Sequence, residues 1–359
     1  MFKIYEKYLI TKFIKKFLLI SLIFFGLIIV LSILEEISFF KDLNESLLYP
    51  YFLTFLGAPI TLFEIFPFIF LISTQFLFFE LFKKDELSLL KTNGLSNMKI
   101  IKILFLSSLI IGLFSVTFFY NASAKLKFIY TDIKNNFSKD NKYLAAVTNS
   151  GLWLKDEING NILVVKANYI KDNNLVDVVI NKFNTGYELI DIIQSKEIDI
   201  TDNLWIVKNP IITSSNISNQ NDNDLLFKTN FNKEKINSLF SNIATLNIFE
   251  LFTLKDDYEK LGYSSDEIKI HLLKLLSTPF LYGVLTVLAS IIMFNLKKDK
   301  SLFFHVIMGI LMSVIIYYMN FMFSSLGNNG KIPLITSIFL PILFISIFSI
   351  IGLIRVNEK

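Results

Sequence analysis

Six long apolar runs, separated by polar segments, dominate the pattern along the chain. Because a bilayer core of roughly 30 Å needs about 20 apolar helical residues, each run is long enough to cross a membrane. The pattern therefore predicts six transmembrane helices in two groups of three, within residues 1–120 and 271–359. The predicted spans are about 17–35, 60–82, 100–120, 272–296, 302–325 and 333–354.

Between the two groups, apolar and polar residues alternate in a segment rich in Asn, Asp and Lys. Short strands at this spacing are typical of a sandwich or jelly roll, so we expect a β-jelly-roll-like domain over 121–247. The polar run 214–224 is expected to be a surface loop, and 248–270 a helical connection to the fourth span. The predicted strands are Leu152–Lys155, Ile162–Ile170, Val176–Phe183, Tyr187–Gln194, Glu197–Ile200 and Leu204–Lys208.

Composition agrees with a membrane protein and excludes several other classes. The 359 residues are 53% hydrophobic, include 38 Phe and have a mean hydropathy of +0.54, which excludes a soluble domain. The absence of cysteine excludes disulfides, thiolate metal sites and cysteine nucleophiles. A net charge of +4 is small for this length, and we expect no nucleic-acid partner.

The distribution of charge along the chain predicts its orientation. Five lysines precede the first span, whereas the polar segment after that span is net acidic. By the positive-inside rule, both termini lie in the cytoplasm and the β domain lies on the outer side. The lysines before the first span are Lys3, Lys7, Lys12, Lys15 and Lys16.

A polar segment at about 83–98 lies between the second and third spans and has the composition of a short amphipathic helix. Asp85 and Glu86 fall in its predicted first turn, where negative charge suits the helix dipole. Such a helix would lie in the plane of the membrane surface and could receive force from a soluble protein. Its apolar patch consists of Leu87, Leu89 and Leu90.

The predicted ends of this segment are also defined by sequence. Gly94 suits the left-handed position that ends a helix, and Ser96 suits the N-cap of the next span. These features favour a rigid coupling helix. Short cytoplasmic loops in general also carry lysines and a capping Ser, so an ordinary loop stays open as the alternative interpretation.

No pattern in the chain predicts catalysis. The two histidines are far apart, and no zinc-protease, nucleophile-elbow or phosphate-loop motif is present, so we expect no enzymatic activity and no cofactor or metal. Ionisable residues inside membrane spans are expensive and deserve a functional hypothesis. Snorkelling or a hydrogen bond between helices is the interpretation we favour for each of them. They are Glu64, Glu80, His271, Lys274 and His305.

The order of three spans, an external β domain and three further spans resembles the LptF/LptG permeases of the lipopolysaccharide exporter. Asp85-Glu86-Leu87 through Asn93-Gly94-Leu95-Ser96 is similar to the coupling-helix signature of that family. The run from Gly151 to Asp156 resembles the first strand of the family's jelly roll, in a form more typical of LptG than of LptF. Further residues at family spacing are Tyr258, Leu261, Gly262, Lys274, Pro279, Pro333 and Pro341.

The resemblance implies a permease subunit that extracts lipopolysaccharide from the inner membrane of a Gram-negative bacterium. The implied partners are an LptF-like permease, an LptB-like ATPase dimer that hydrolyses ATP, and LptC and LptA, which receive the lipid. The resemblance also implies that the coupling helix binds the ATPase. Glu86 would make an electrostatic contact there, and Asp85, Leu87, Leu89, Leu90 and Gly94 complete the contacting set.

The expected contacts with lipopolysaccharide are less well defined by the resemblance. Members of the family often carry lysines near the outer end of the first helix to meet lipid A phosphates, whereas Glu35 and Glu36 stand there in this chain. Either other lysines and the partner subunit supply these contacts, or the lipid A of the host carries fewer phosphates. Aromatic residues in the spans suit a cavity for acyl chains, although ordinary packing and contact with lipid explain them better. The candidate contacts are Phe39, Phe40, Lys41, Tyr317, Phe321 and Lys331.

Two other functions stay open on the sequence alone. The chain can be the permease of another lipid or lipoprotein exporter, although lipoprotein-releasing permeases usually have four spans. It can also be a membrane sensor whose outer domain binds a ligand and whose loop contacts a signalling protein. Co-purification with an ATPase would argue against the sensor, and the identity of the co-purified lipid would separate the two exporters.

Overall fold

A computed structural model of the protein describes most of the chain. The chain divides into two compact units, which we describe separately. Met1–Tyr130, Ala244–Ile248 and Asp266–Lys359 form the membrane unit; Thr131–Ile243 and Phe249–Ser265 form the β unit. The described residues are 3–41, 48–137, 152–158, 160–171, 173–214, 217–220, 224–233, 236, 243–260, 264–295 and 302–357.

Helices make up the membrane unit, and six helical stretches in the described residues are long and apolar enough to cross a membrane. This confirms the predicted polytopic architecture with three spans on each side of an inserted β domain. The helices of the chain are α1 (Ile4–Phe40), α2 (Leu48–Glu64), α3 (Phe66–Lys83), α4 (Glu86–Thr92), α5 (Asn97–Phe114), α6 (Asn121–Phe137), α7 (Ile248–Lys260), α8 (Asp266–Asn295), α9 (Leu302–Asn328) and α10 (Leu334–Asn357).

The second span differs from the single helix expected over 60–82. Two helices, α2 and α3, occupy this region, and the helical conformation is interrupted at Ile65 between them. Pro67 lies in the first turn of α3, where a missing N–H costs no intrahelical hydrogen bond, so the break falls just before it. Pro59, in contrast, lies inside α2. The result is a membrane helix in two pieces.

The third span also extends beyond its predicted end at residue 120. Helix α5 continues through a π-helical segment, Ser115–Tyr120, into α6. The β domain that we expected from residue 121 therefore begins later, and its first described strand starts at Leu152. Polar residues do not end this helix, because Asn121 turns its amide back and donates to the carbonyl of Thr117 at 2.7 Å.

Helix α8 lies at the centre of the membrane unit and contacts α3, α5 and α10. The ring of Phe70 on α3 stacks on Tyr282 of α8 with a centroid distance of 4.3 Å. Gly112 lets α5 approach closely, since a Cβ there would lie 2.7 Å from the Cα of Pro279. Many of the hydrophobic side chains of α1 and α9, in contrast, are exposed. Both helices therefore offer apolar faces to lipid or to another membrane protein.

The nine described strands of the β unit form one antiparallel sheet. Strand β5 is the longest, and it pairs with β4 on one side and with both β6 and β7 on the other. The strands are β1 (Leu152–Ile158), β2 (Asn161–Ala167), β3 (Tyr169–Lys171), β4 (Asn174–Phe183), β5 (Leu189–Asp199), β6 (Leu204–Val207), β7 (Ile211–Ser214), β8 (Ile217–Gln220) and β9 (Leu225–Lys228).

Three details of the sheet differ from the expected strands. The stretch Ile162–Ile170 is divided between β2 and β3, because Asp177 in the facing strand has a left-handed backbone (φ 52°) and locally disturbs the pairing. The two strands expected over 187–200 are one continuous strand, β5. Strand β8 lies within the run 214–224 that we expected to be a loop.

Apolar side chains that alternate along the strands form the core of the β unit, together with two polar contacts that the sequence did not predict. Trp205 on β6 is fully buried, and its Nε1 donates to the carbonyl of Phe231 at 2.8 Å. The carboxylate of Asp156 on β1 accepts from the backbone N–H of Asn230 at 2.9 Å and from its side-chain amide at 2.8 Å. These bonds tie the segment after β9 back to the sheet.

Candidate functional site

The segment between α3 and α5 forms a short helix with sharply defined ends. Helix α4 covers only Glu86–Thr92 of the expected 83–98, because Lys83 still belongs to α3 and Ser96 already caps α5. The Oγ of Ser96 accepts from the N–H of Lys99 at 3.3 Å, as predicted. The cap fixes the point at which the next membrane helix begins.

Left-handed residues stand at both ends of α4. Asp85 precedes the helix with φ 53°, and Gly94 follows it with φ 82°. The N–H of Gly94 donates to the carbonyl of Lys91 at 2.9 Å, and the N–H of Leu95 donates to the carbonyl of Leu90 at 3.1 Å. These two bonds close the last turn, and glycine is the residue that adopts the required conformation without strain. The loop is therefore an ordered turn–helix–turn.

A group of five charged residues connects α4 to the first and second spans; we call it the Glu80 cluster. The carboxylate of Glu80 on α3 lies 2.6 Å from the Nζ of Lys16, 2.9 Å from that of Lys84 and 3.4 Å from that of Lys12. Lys12 on α1 also forms an ion pair with Glu86. The cluster therefore joins α1, α3 and the first turn of α4 by alternating charges.

Glu86 is stabilised as a carboxylate within this cluster. Burial opposes its ionisation, because the side chain is only 20% exposed. Hydrogen bonds from Lys12 and from the hydroxyl of Tyr8 outweigh the burial and hold the pKa of Glu86 below its usual value. The position that we predicted to contact an ATPase thus already has a partner inside the chain.

The three leucines predicted as one apolar patch point in different directions. Leu87 is 5% exposed and its side chain is buried, whereas Leu89 is 61% exposed. Leu90 is partly exposed, and Asp85 and Gly94 are exposed. Leu89 is therefore the leucine best placed to meet another protein, and Leu87 anchors the helix.

A cavity of about 390 Å³ lies among α2, α3, α8, α9 and α10. Tyr317 and Phe321 line it from α9, with their rings nearly parallel (12°) and their centroids 6.5 Å apart. Of the six residues that the sequence proposed for lipid contact, these two are the only ones in its lining.

The other four candidates lie elsewhere in the membrane unit. Phe40 is buried at the end of α1, where it stacks on Tyr49 with a centroid distance of 5.9 Å. Phe39 contacts Phe40 edge to face at 5.1 Å. Lys41 is exposed directly after α1, and Lys331 is exposed after the turn at Gly330. The structure therefore does not bring all six residues to one cavity.

Three ionisable residues also line this cavity, namely Glu64, His271 and Lys274. The Nε2 of His271 lies 2.8 Å from the hydroxyl of Tyr120, as expected for a hydrogen bond between helices. Within the described ranges, neither Glu64 nor Lys274 forms an ion pair, and both side chains are exposed to the cavity. The cavity thus offers aromatic walls, one cation and one anion, which suits an amphipathic lipid.

A family model described as "Lipopolysaccharide export system permease LptF/LptG" matches residues 7–355. The chain belongs to the LptF/LptG family. A comparison with individually curated proteins finds no match. Permeases of the LptF/LptG family are transport subunits and are not themselves enzymes, and the several membrane-spanning helices give this member a membrane location.

The residues that hold α4 in this LptF/LptG permease were not predicted from the sequence. Lys12 and Lys16 served only to predict the orientation of the first helix, yet they bind Glu86 and Glu80. Their spacing of four residues, which places both on one face of α1, was the available signal. The acidic partner of that face lies about 70 residues away along the chain, so spacing alone did not identify it.

Proposed function

We propose that this chain is a permease subunit of an ABC-type lipopolysaccharide exporter in the inner membrane of a Gram-negative bacterium. The match to the LptF/LptG family over residues 7–355 carries this proposal. The chain pairs with a second, LptF-like permease and is itself more similar to LptG. An LptB-like ATPase dimer supplies the energy, and LptC and LptA accept the lipid on the periplasmic side.

The proposed orientation places both termini and α4 in the cytoplasm and the β unit in the periplasm. Two lysines of the Glu80 cluster, Lys12 and Lys16, lie near the start of α1, and the acidic residues Glu35 and Glu36 lie near its end. This charge asymmetry supports the orientation through the positive-inside rule.

In the proposed mechanism, the ATPase binds α4 and moves it. The exposed Leu89, with the partly exposed Leu90, fills a groove of the ATPase, and Asp85 contributes charge. Glu86 meets the ATPase at the edge of this surface and at the same time binds Lys12 on α1. Because the Glu80 cluster joins α4 to α1 and α3, movement of α4 would reach the first two spans directly. Because ordered turns define both ends of α4, the helix would move as a unit and would not unwind.

The proposed lipid contacts fall into two groups. Tyr317 and Phe321 contact acyl chains of lipopolysaccharide at the cavity. Lys41 and Lys331 supply cations for its phosphates, with Phe39 and Phe40 beside Lys41. The exposed apolar faces of α1 and α9 suit the second permease subunit and the surrounding membrane lipid.

The decisive experiment compares Leu89→Asp with Leu226→Asp in the complete complex. Both leucines are 61% exposed, but Leu226 lies on β9 of the β unit. If α4 binds the ATPase, a charge at Leu89 should weaken complex assembly roughly thirtyfold, as expected for loss of a central interface residue. Co-purification of the ATPase and ATP-dependent release of lipopolysaccharide from proteoliposomes are the measurements.

The same experiment separates the proposed function from the two alternatives. Wild-type proteoliposomes that release lipopolysaccharide on ATP addition support the exporter. Release of another lipid or a lipoprotein instead would support a different exporter, and ATP-independent behaviour with no bound ATPase would support a sensor. Equal assembly of both variants would show that α4 is not the ATPase contact.

A further inference from the structure

A second concave surface in the membrane unit lies between α5, α8 and α10; we call it the α5–α10 groove. Its volume is about 410 Å³. It is separate from the cavity that contains Tyr317 and Phe321, because the two have no lining residue in common. Its apolar lining includes Ile101, Phe105, Phe280, Val284, Val287 and Leu353.

Four polar residues interrupt this apolar lining. Lys99 and Lys102 lie one helical turn apart near the start of α5, and both are exposed. Neither lysine forms an ion pair in the part of the chain that the structure describes. Ser349 on α10 is only 3% exposed, and its Oγ has no hydrogen-bond partner among the described atoms. Ser346, one turn earlier, donates to the carbonyl of Ile342 at 2.7 Å.

The register between α5 and α10 orders these features along the groove. The side-chain amide of Asn97, at the start of α5, donates to the carbonyl of Val356, at the end of α10, at 3.2 Å. The two helices therefore run in opposite directions here, and Lys99 and Lys102 lie at the same end as Leu353. Ser349 and then Phe105 lie deeper in the membrane. From the surface inwards, the groove presents two cations, the hydroxyl of Ser349 without a hydrogen-bond partner among the described atoms, and an apolar wall.

We propose that the α5–α10 groove binds one anionic phospholipid from the surrounding bilayer. The phosphate lies between the ammonium groups of Lys99 and Lys102. The hydroxyl of Ser349 donates to an ester carbonyl, which gives this buried polar group a partner. One acyl chain lies against Phe105, Phe280 and Val284. The order of charges, hydroxyl and apolar wall matches the order of phosphate, ester and acyl chain in a phospholipid.

A soluble protein fits this groove less well. Most of the lining belongs to helices that span the membrane, and the wall beyond the two lysines carries almost no polar group. The phospholipid would lie directly behind Ser96, the residue that separates α4 from α5. This inference needs only the membrane location of the chain and does not depend on which substrate the permease exports.

Native mass spectrometry of the full-length chain, with its co-purifying subunits, tests the proposal. Dioleoyl phosphatidylglycerol is the anionic probe, and dioleoyl phosphatidylcholine is the zwitterionic control with identical acyl chains. The double variant K99Q/K102Q should reduce retention of phosphatidylglycerol roughly fivefold for each lysine and leave phosphatidylcholine unchanged. The matched control is K7Q/K15Q, which removes two exposed lysines of α1 that do not line the groove.

A third variant tests the deeper part of the groove. Ser349→Ala removes the hydroxyl and should lower retention of phosphatidylglycerol about threefold, as expected for one hydrogen bond. A photoactivatable phosphatidylglycerol should crosslink within the groove of the wild-type protein, a measurement that does not require any variant to fold.

Three outcomes would overturn the proposal. Equal losses in K99Q/K102Q and K7Q/K15Q would show general attraction to a charged surface. Loss of ATPase binding with unchanged lipid retention would assign the two lysines to a protein contact. Crosslinks distributed evenly over the membrane helices would show ordinary annular lipid.

Discussion

The Glu80 cluster and the cavity lined by Tyr317 both contain charged residues close to membrane helices, but the charges are paired only in the cluster. In the cluster, each carboxylate lies beside at least one lysine, and the carboxylate of Glu80 lies 2.6 Å from the Nζ of Lys16. In the cavity, Glu64 and Lys274 face open space, and neither forms an ion pair within the described ranges.

This difference indicates different roles for the two groups. The paired charges hold α4 against α1 and α3, which the proposed transmission of motion requires. Ionisable residues without a partner inside membrane spans are costly, and such residues usually belong to functional sites. We therefore expect substitutions in the cluster to affect local stability, and substitutions in the cavity to affect transport.

The largest effect is expected from Lys12→Met, because Lys12 contacts both Glu80 and Glu86. Loss of these contacts should destabilise α4 locally by about 1–2 kcal/mol, which corresponds to roughly 5–30-fold faster amide exchange over residues 86–94. Hydrogen–deuterium exchange with mass spectrometry of the purified complex measures this change.

Lys84→Met is the matched control for Lys12→Met. Lys84 also binds Glu80, at 2.9 Å, but its side chain is 58% exposed and lies one turn away on the same stretch of chain. Exposed pairs of this kind contribute little, so exchange should change by less than about twofold. Equal exchange in the two variants would show that the bridge to α1 does not hold α4.

A smaller effect of opposite sign is expected from Lys274→Met. Removing a cation that has no ion-pair partner in a membrane span should raise the free energy of unfolding by about 1 kcal/mol. Export of lipopolysaccharide should nevertheless fall if the cavity binds the lipid. Unfolding in SDS and release from proteoliposomes are the two measurements. A less stable variant with normal export would assign Lys274 a structural role.

The smallest effect is expected from pH, through Glu86. Because its pKa is lowered in the folded protein, its contribution is fully present above the ordinary carboxylate pKa, about 4.3. The contribution is lost as the pH falls through the lower folded pKa. Exchange over residues 86–94, corrected for the intrinsic rate, should therefore stay constant from pH 7 to about pH 5 and rise as the pH falls below the ordinary carboxylate pKa. In Glu86→Gln this rise should disappear.

Much of the fold was predictable from local pattern. The six spans follow from hydropathy, because lipid requires about 20 apolar residues per helix whatever the neighbouring helices are. The left-handed Gly94 and the Ser96 cap also follow from local conformational preferences. These features depend on a few consecutive residues, so the sequence around them was sufficient.

Two of the errors have local causes, because Pro67 fits the first turn of α3 and the side-chain amide of Asn121 donates back to the carbonyl of Thr117. Another depends on a distant partner. In the sheet, the gap between β2 and β3 lies opposite Asp177 on β4, and no pattern within β2 predicts it. Most predicted segments were therefore of the right type with displaced ends, whereas β8 replaced a predicted loop and α6 occupies the start of the predicted β domain.

The sequence by itself determined that this protein has six membrane spans, an inserted β domain and a short capped segment between the second and third spans. Solvent preference and backbone conformation act locally, and each leaves a local pattern. Only the tertiary structure decided that Glu86 binds Lys12, that Leu87 is buried while Leu89 is exposed, and that Lys274 faces the same cavity as Tyr317. Those relations depend on which helices meet and at what register, and packing fixes both.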